Sequence, residues 1–203
     1  MYRLYDYLPS GNGYKVRLLL SQLGLPFELA LIDIVEGASR TPEFLARNPN
    51  GRIPTLEVEP GVYLPESNAI LYYLADGTPF FPTDRLERAQ VMQWMCFEQY
   101  SHEPNIATVR FWLTHAGLTD ERRAVLEQKR ALGYAALGVM EEHLTQGPFF
   151  VGGRYSIADI ALYAYTHVAE EGGFDLGPYP AIRAWLERVI AQPAHVLITA
   201  SQS

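Results

Sequence analysis

The sequence predicts an α/β domain followed by an all-helical domain. Two observations carry this reading. Strand-like and helix-like segments follow one another as β-α-β-α-β-β-α up to residue 77, and no convincing strand comes after residue 84. Segregation of that kind argues two domains rather than one mixed layer. We place the first at residues 1–77, a linker at 78–86 and the helical domain at 87–203. The 203 residues are enough chain for two such cores.

Tyr2 to Tyr7 is short, aromatic-rich and ends at Leu8-Pro9, which reads as a strand. Val16, Leu19, Leu20 and Leu23 then recur at i, i+3, i+4 and i+7, one face of a helix, with Gly24 as its C-terminal cap. Phe27 to Ile34 is β-rich, so the first three elements form a βαβ unit whose strands run parallel. Thr41-Pro42-Glu43 combines a capping hydroxyl, a first-turn proline and an acid, and starts a short helix ending at Asn48-Pro49-Asn50-Gly51. Thr55–Glu59 and Val62–Leu64 flank Pro60-Gly61 as an antiparallel hairpin. Pro65-Glu66-Ser67 opens the next helix, which closes at Gly77 and Pro79.

Residues 78–84, with two prolines and two phenylalanines, read as a linker. A helix from Leu86 to about Leu113 contains Pro104, which has no N–H to donate and forces a bend or split. The helix from Thr119 to Leu144 carries two apolar stripes, one on Val125, Leu132, Ala136 and Val139, the other on Leu126, Leu137, Met140 and Leu144, and predicts a broad buried face. Ser156-Ile157-Ala158-Asp159 has the pattern of a capping box, with Tyr155 and Ile160 placed to staple it. The last helix starts at Tyr179-Pro180 and buries Ile182, Trp185, Leu186, Val189 and Ile190.

Sixteen basic and 23 acidic residues leave a net charge of −7, a poor match to nucleic acid or an anionic membrane. No apolar run is long enough to span a bilayer, and the first residues read as strand rather than as a leader. The single cysteine, Cys96, excludes an internal disulfide, a Cys-x-x-Cys pair and a cysteine zinc site. Between Met95 and Phe97 in mid-helix it reads as a small buried hydrophobe. The expectation is a cytoplasmic protein that works on or with a small molecule.

Three segments could carry chemistry. Ser10-Gly11-Asn12-Gly13-Tyr14-Lys15 lies between the first strand and first helix, where ligands collect in open α/β sheets and where helix amides favour an anion. The ordinary alternative is a helix cap and a glycine turn. Ile53-Pro54-Thr55 enters the third strand; a cis Pro54 would turn the Ile53 backbone outward, and a trans one would simply start the strand. Glu66-Ser67-Asn68 opens a helix; Ser67 can offer hydroxyl and amide to a carboxylate and Glu66 can accept from an ammonium, or either can serve as a cap.

In this order and within one βαβ…ββα domain, the three segments resemble the cytosolic glutathione transferase family, a thioredoxin-like domain followed by helices. The likeness extends to Asn48-Pro49-Asn50-Gly51-Arg52-Ile53-Pro54 and to the Ser156–Asp159 cap. Ser-x-Asn-Gly-x-Lys is similar to the loop of bacterial Nu-like relatives, and the serine position to theta-like ones. The resemblance implies glutathione as co-substrate, its own thiol being the nucleophile, and no metal. It implies that Asn12, assisted by Ser10, faces the sulfur, with Tyr5 or Tyr7 as the competing donors. Ile53 beside a cis Pro54 would pair with the cysteinyl part, Glu66 and Ser67 would hold the γ-glutamyl head, and Ser39 and Arg52 would lie near the glycyl carboxylate. The electrophile would sit by Leu8, His102 and Ile106. The implied activity is detoxifying conjugation to a hydrophobic electrophile by a homodimer. The rivals are glutathione-dependent disulfide reduction and a non-catalytic binding module, against which the intact Glu66-Ser67 and Ile53-Pro54 pairs argue.

Overall fold

A computed structural model describes residues 1–201. The chain divides into two compact units, Met1–Asp76 joined by the residues from Pro193 onward, and Gly77–Gln192. The sequence reading put everything after the linker with the helices; the final segment instead packs on the first unit.

The first unit has β1 (Tyr2–Asp6), α1 (Gly11–Gln22), β2 (Phe27–Leu31), α2 (Pro42–Arg47), β3 (Thr55–Glu59), β4 (Val62–Pro65) and α3 (Ser67–Ala75). Among the described residues the strands form one sheet in the order β2-β1-β3-β4. β1 runs parallel to β2 and antiparallel to β3, and β3 and β4 are antiparallel neighbours. Leu4, in register with Leu29 on one side and Leu56 on the other, is fully buried at the centre. Val16, Leu19 and Leu20 of α1 and Ile70, Leu71 and Leu74 of α3 supply the helical side of this core.

The opposite side of α1 is closed by the final segment, which no periodicity announced. Tyr14, Arg17 and Ser21 fall on one stripe of the helix. The Tyr14 hydroxyl donates to the Val196 carbonyl at 2.7 Å and the Ser21 hydroxyl to that of Ala194 at 2.9 Å. Arg17 Nη1 donates to the carbonyls of Ile198 and Ala200 at 2.9 and 3.0 Å. His195 Nε2 lies 3.2 Å from the Tyr14 hydroxyl, and burial pulls its imidazole below the ordinary histidine value.

Arg17 also anchors the end of β1. Its Nε pairs with Asp6 Oδ2 at 2.9 Å and its Nη2 reaches the Leu8 carbonyl at 2.7 Å. Asp6 Oδ1 accepts the Tyr7 N–H at 2.7 Å. Burial pushes the Asp6 carboxyl up to about 6, against the opposing pull of Arg17. This carboxylate lies where a side chain at position 13 would be: a Cβ on Gly13 would come within 1.6 Å of Asp6 Oδ1.

The second unit begins with a long helical run, α4 (Arg85–Phe97), a π-turn (Glu98–His102), α5 (Glu103–Phe111) and a second π-turn (Trp112–Ala116). Pro104 supplies the reason for the first π-turn. A proline ring collides with the carbonyl four residues back, so the helix widens and the Glu103 N–H reaches the Glu98 carbonyl, five residues away. Asn105 Nδ2 donates to the Ser101 carbonyl at 2.7 Å. Cys96 is exposed on α4, contrary to the buried place expected for it.

Then come α6 (Asp120–Leu144), α7 (Ile157–Thr166) and α8 (Pro180–Ile190). Of the two α6 stripes, the one with Leu137, Met140 and Leu144 is buried along with Gly133, whereas of the other only Ala136 is inside and Leu132 and Val139 are 49% and 48% exposed. Gly133 is the cause. A Cβ there would meet the Phe174 ring at 2.5 Å, so Phe174 seats on this stripe and sets which way the helix faces. The predicted capping box of α7 is present, and its Asp159 is buried and receives the Ser156 N–H and hydroxyl, the Phe150 N–H and the Trp185 indole N–H. Glu141 of α6 accepts from the Ala181 and Ile182 N–H groups, both at 2.9 Å, and so caps α8, whose own Tyr179 provides no side-chain cap.

Two expectations follow. Gly13→Ala forces Asp6 out of its place and is expected to cost about 3 kcal/mol or more in urea unfolding. His195, held below the ordinary 6.5, contributes stability that is present above that value and lost as pH falls through and below it. An NMR titration giving the ring an apparent value at or above 6.5 would contradict this reading of the final segment.

Candidate active site

Two helix starts of the first unit are built differently. Ser10 is the extended N-cap of α1, and its hydroxyl receives the Gly13 N–H at 3.5 Å. At α3 the N-cap residue Glu66 has φ 70° and ψ 111°, and its side chain makes no capping hydrogen bond. A non-glycine residue held at that φ costs of order 1–3 kcal/mol, and such strain clusters at functional sites. The first turn of α3 therefore receives no side-chain acceptor from its N-cap residue.

The two starts meet through side chains. The Ser67 hydroxyl, buried, donates to Asn12 Oδ1 at 3.1 Å. Lys15, fully buried, points its Nζ at Ser67 Oγ at 3.3 Å and at Asn68 Oδ1 at 3.5 Å. Asn12 and Ser67 are 55 positions apart in sequence and both were read as site residues. Lys15 was read only as part of the loop spelling. The signal for it was there: a lysine three residues after Asn12 shares its helix face, inside a stretch otherwise made for burial.

A third segment enters β3. The Ile53–Pro54 peptide is cis. Among the described residues no hydrogen bond is made to the Ile53 backbone. The preceding loop is shaped by the buried Asn48, whose Nδ2 donates to the Arg52 carbonyl at 2.8 Å and to Thr55 Oγ1 at 3.3 Å, while its Oδ1 receives the Asn50 N–H at 3.0 Å. Gly51, at φ 61°, lies against the Ser39 carbonyl and Arg40, and Arg40 Nη1 donates to the Asn50 carbonyl at 2.9 Å. Ser39 is buried in a short 3-10 turn (Ala38–Arg40), and Arg52 and Glu66 are exposed.

Tyr5, one of the competing donors, is committed elsewhere. Its hydroxyl donates to Glu57 Oε2 at 3.1 Å, its ring sits edge-on to Phe44 and Tyr63, and burial pushes its phenol up. The proposed electrophile residues are not of one kind. Leu8 is half-buried in the first unit, with its carbonyl on Arg17. His102 and Ile106 are fully buried in the second, with His102 Nε2 on Thr166 Oγ1 at 2.9 Å, so neither offers side-chain surface to a ligand. His102 closes the π-turn, which shifts the helical phase ahead of Pro104 in a way that regular spacing does not foretell. Among the described residues no group of three or more His, Cys, Asp or Glu side chains is placed to hold a metal ion, and no helix is long and apolar enough to cross a membrane.

Comparison with known proteins bears on the family and the fold. Residues 1–76 match the family described as the glutathione S-transferase N-terminal domain, and residues 92–193 its C-terminal domain. A glutathione S-transferase from Pseudomonas fluorescens is 54% identical, covers 98% of this chain and 99% of its own, and superposes with a TM-score of 0.95. A possible glutathione S-transferase from Rhodopseudomonas palustris is 50% identical, covers 99% of both chains and gives 0.96. The disulfide-bond oxidoreductase YfcG of Escherichia coli is 32% identical over 195 residues, 93% of this chain and 90% of that protein. With a thioredoxin-like unit followed by helices, and with both halves matched, this chain belongs to the glutathione S-transferase family.

Proposed function

We propose that the chain is an enzyme that binds glutathione, holds its thiol as thiolate and transfers it to a hydrophobic electrophile. The observation that carries this reading is the hydrogen bond from Ser67 to Asn12, since it joins the start of α3, suited to a γ-glutamyl carboxylate, to the start of α1, suited to a thiolate.

In this reading the γ-glutamyl carboxylate docks on the uncapped first turn of α3 at Ser67, and its ammonium meets the exposed Glu66. The cysteinyl backbone pairs with Ile53 beside Pro54. Ser39 and Arg52 lie toward the glycyl carboxylate. An ordinary thiol has a pKa of about 8.5, so only a few per cent is thiolate at neutral pH. The Asn12 amide and the amino end of α1 stabilise the thiolate over the thiol, each unit of lowering being worth about 1.4 kcal/mol. Ser10 assists by fixing the α1 start. The sulfur then attacks the electrophile, forming the S–C bond as the leaving group departs with its electron pair.

Disulfide reduction is the second reading, favoured by the likeness to the Escherichia coli oxidoreductase. There the bound thiolate attacks a disulfide sulfur and a second glutathione releases the product as glutathione disulfide. Turnover of an aryl halide with little activity on 2-hydroxyethyl disulfide supports conjugation; the reverse supports reduction. No heat of glutathione binding at millimolar concentration removes both and leaves a binding module. We further place the enzyme in the cytoplasm as a homodimer. Met92 and Cys96, exposed at i and i+4 on α4, and Tyr100, exposed in the π-turn that follows, offer apolar surface suited to self-association.

Two variants test the residue roles. Ser67→Ala, which removes the hydroxyl that joins the two helix starts through Asn12, is expected to weaken glutathione binding by about 1–3 kcal/mol in calorimetry. Asn12→Ala is expected to raise the pKa of the bound thiol, followed by thiolate absorbance against pH, and an unmoved titration would strip Asn12 of the role.

A further inference from the structure

We propose that Lys15 is a positioning residue that sets the direction of the Lys15–Ser67–Asn12 chain, so that Asn12 presents its N–H end rather than its oxygen to the sulfur. The inference rests on the glutathione reading above and extends it to a residue that touches no substrate.

An ammonium has three N–H donors and no acceptor. Ser67 Oγ, 3.3 Å from the buried Nζ, must therefore accept on that side. A hydroxyl has a single proton, and that proton goes onward to Asn12 Oδ1 at 3.1 Å. The carboxamide of Asn12 is planar, with oxygen and nitrogen on opposite limbs. Once Oδ1 is held by Ser67, Nδ2 is turned away from Ser67. The opposite orientation would put an acceptor oxygen against a thiolate, which repels it. The ammonium repels the hydroxyl proton, so the favoured polarity runs from the lysine N–H through the serine O–H to Asn12 Oδ1, with the amide N–H beyond it. Asn68 Oδ1, 3.5 Å from Nζ, accepts from the same cation.

The same wiring divides the work of Ser67. Its hydroxyl is spent on Asn12, and the γ-glutamyl carboxylate is read by the backbone N–H groups of the uncapped α3 turn. Recognition of the head group and activation of the sulfur are then carried by one hydrogen-bonded unit across α1 and α3. Lys15 is buried, and a neutral residue of its length removes the donors without opening the surface.

The test measures the pKa of the thiol in bound glutathione by thiolate absorbance near 240 nm. Lys15→Met is expected to raise it by about one unit, a roughly tenfold loss of thiolate below that pKa. Lys15→Arg, which is again donor-only, is expected to recover part of the shift. In an Asn12→Ala background the effect of Lys15→Met is expected to vanish; a shift of equal size with and without Asn12 would mean that the lysine acts by charge alone and would overturn the proposal. Where Lys15→Met does not fold, Ser67→Ala decides: it is expected to raise the bound thiol's pKa, whereas a serine that serves only the carboxylate weakens binding and leaves the pKa in place. Wild-type protein that binds no glutathione defeats the functional reading itself and is seen before any variant is made.

Discussion

The first unit depends on a buried carboxylate sitting where a side chain would otherwise be. Asp6 ends β1 and lies against the bare Cα of Gly13 in the first turn of α1. It is paired with Arg17 from the next turn of the same helix. A charge this deeply buried is tolerable only with close partners, and removing one partner strands the other. Arg17 meets that condition with the Asp6 carboxylate and three backbone carbonyls, one at Leu8 and two in the final segment. Strand end, helix start and chain end are therefore fastened by one guanidinium. The first turn of α1, which carries Asn12, is held to the end of β1 by this arrangement.

On that base the two helix starts take opposite solutions to the same problem. α1 satisfies its first amides with Ser10, while α3 leaves them without a side-chain cap and holds Glu66 at a positive φ. A protein has no structural reason to forgo a cap worth about 1 kcal/mol and add strain at the same residue. In the proposed reading a ligand carboxylate is the missing partner. In the proposal the buried lysine between the starts gives the site its electrical sense, because a donor-only ammonium makes Ser67 Oγ accept on its side and turns the hydroxyl proton away, toward Asn12 Oδ1.

The second unit shows how a rule of local sequence becomes geometry. Pro104 predicts a break, and the chain answers with a π-turn that keeps the helix continuous and turns His102 inward to Thr166. Asp159 gathers four donors from three segments, and Glu141 caps a helix 40 residues away. Each buried acceptor closes a contact between elements that local propensity alone does not specify.

By itself the sequence determined the order of elements, the parallel β1–β2 pair, the hairpin and the capping box at Ser156, because these rest on local periodicity, turn chemistry and caps. Its resemblance to the family also pointed to Asn12, Ser67 and the Ile53–Pro54 step, each of which taken alone has an ordinary reading as a cap or a strand start. Tertiary structure decided what depends on which groups meet at long range. It packed the final segment on α1, chose one of two equivalent stripes of α6 through the approach of Phe174 to Gly133, exposed Cys96 and buried His102 and Ile106. It alone showed Lys15 beneath Ser67, since a helical spelling says which residues share a face but not what stands opposite them.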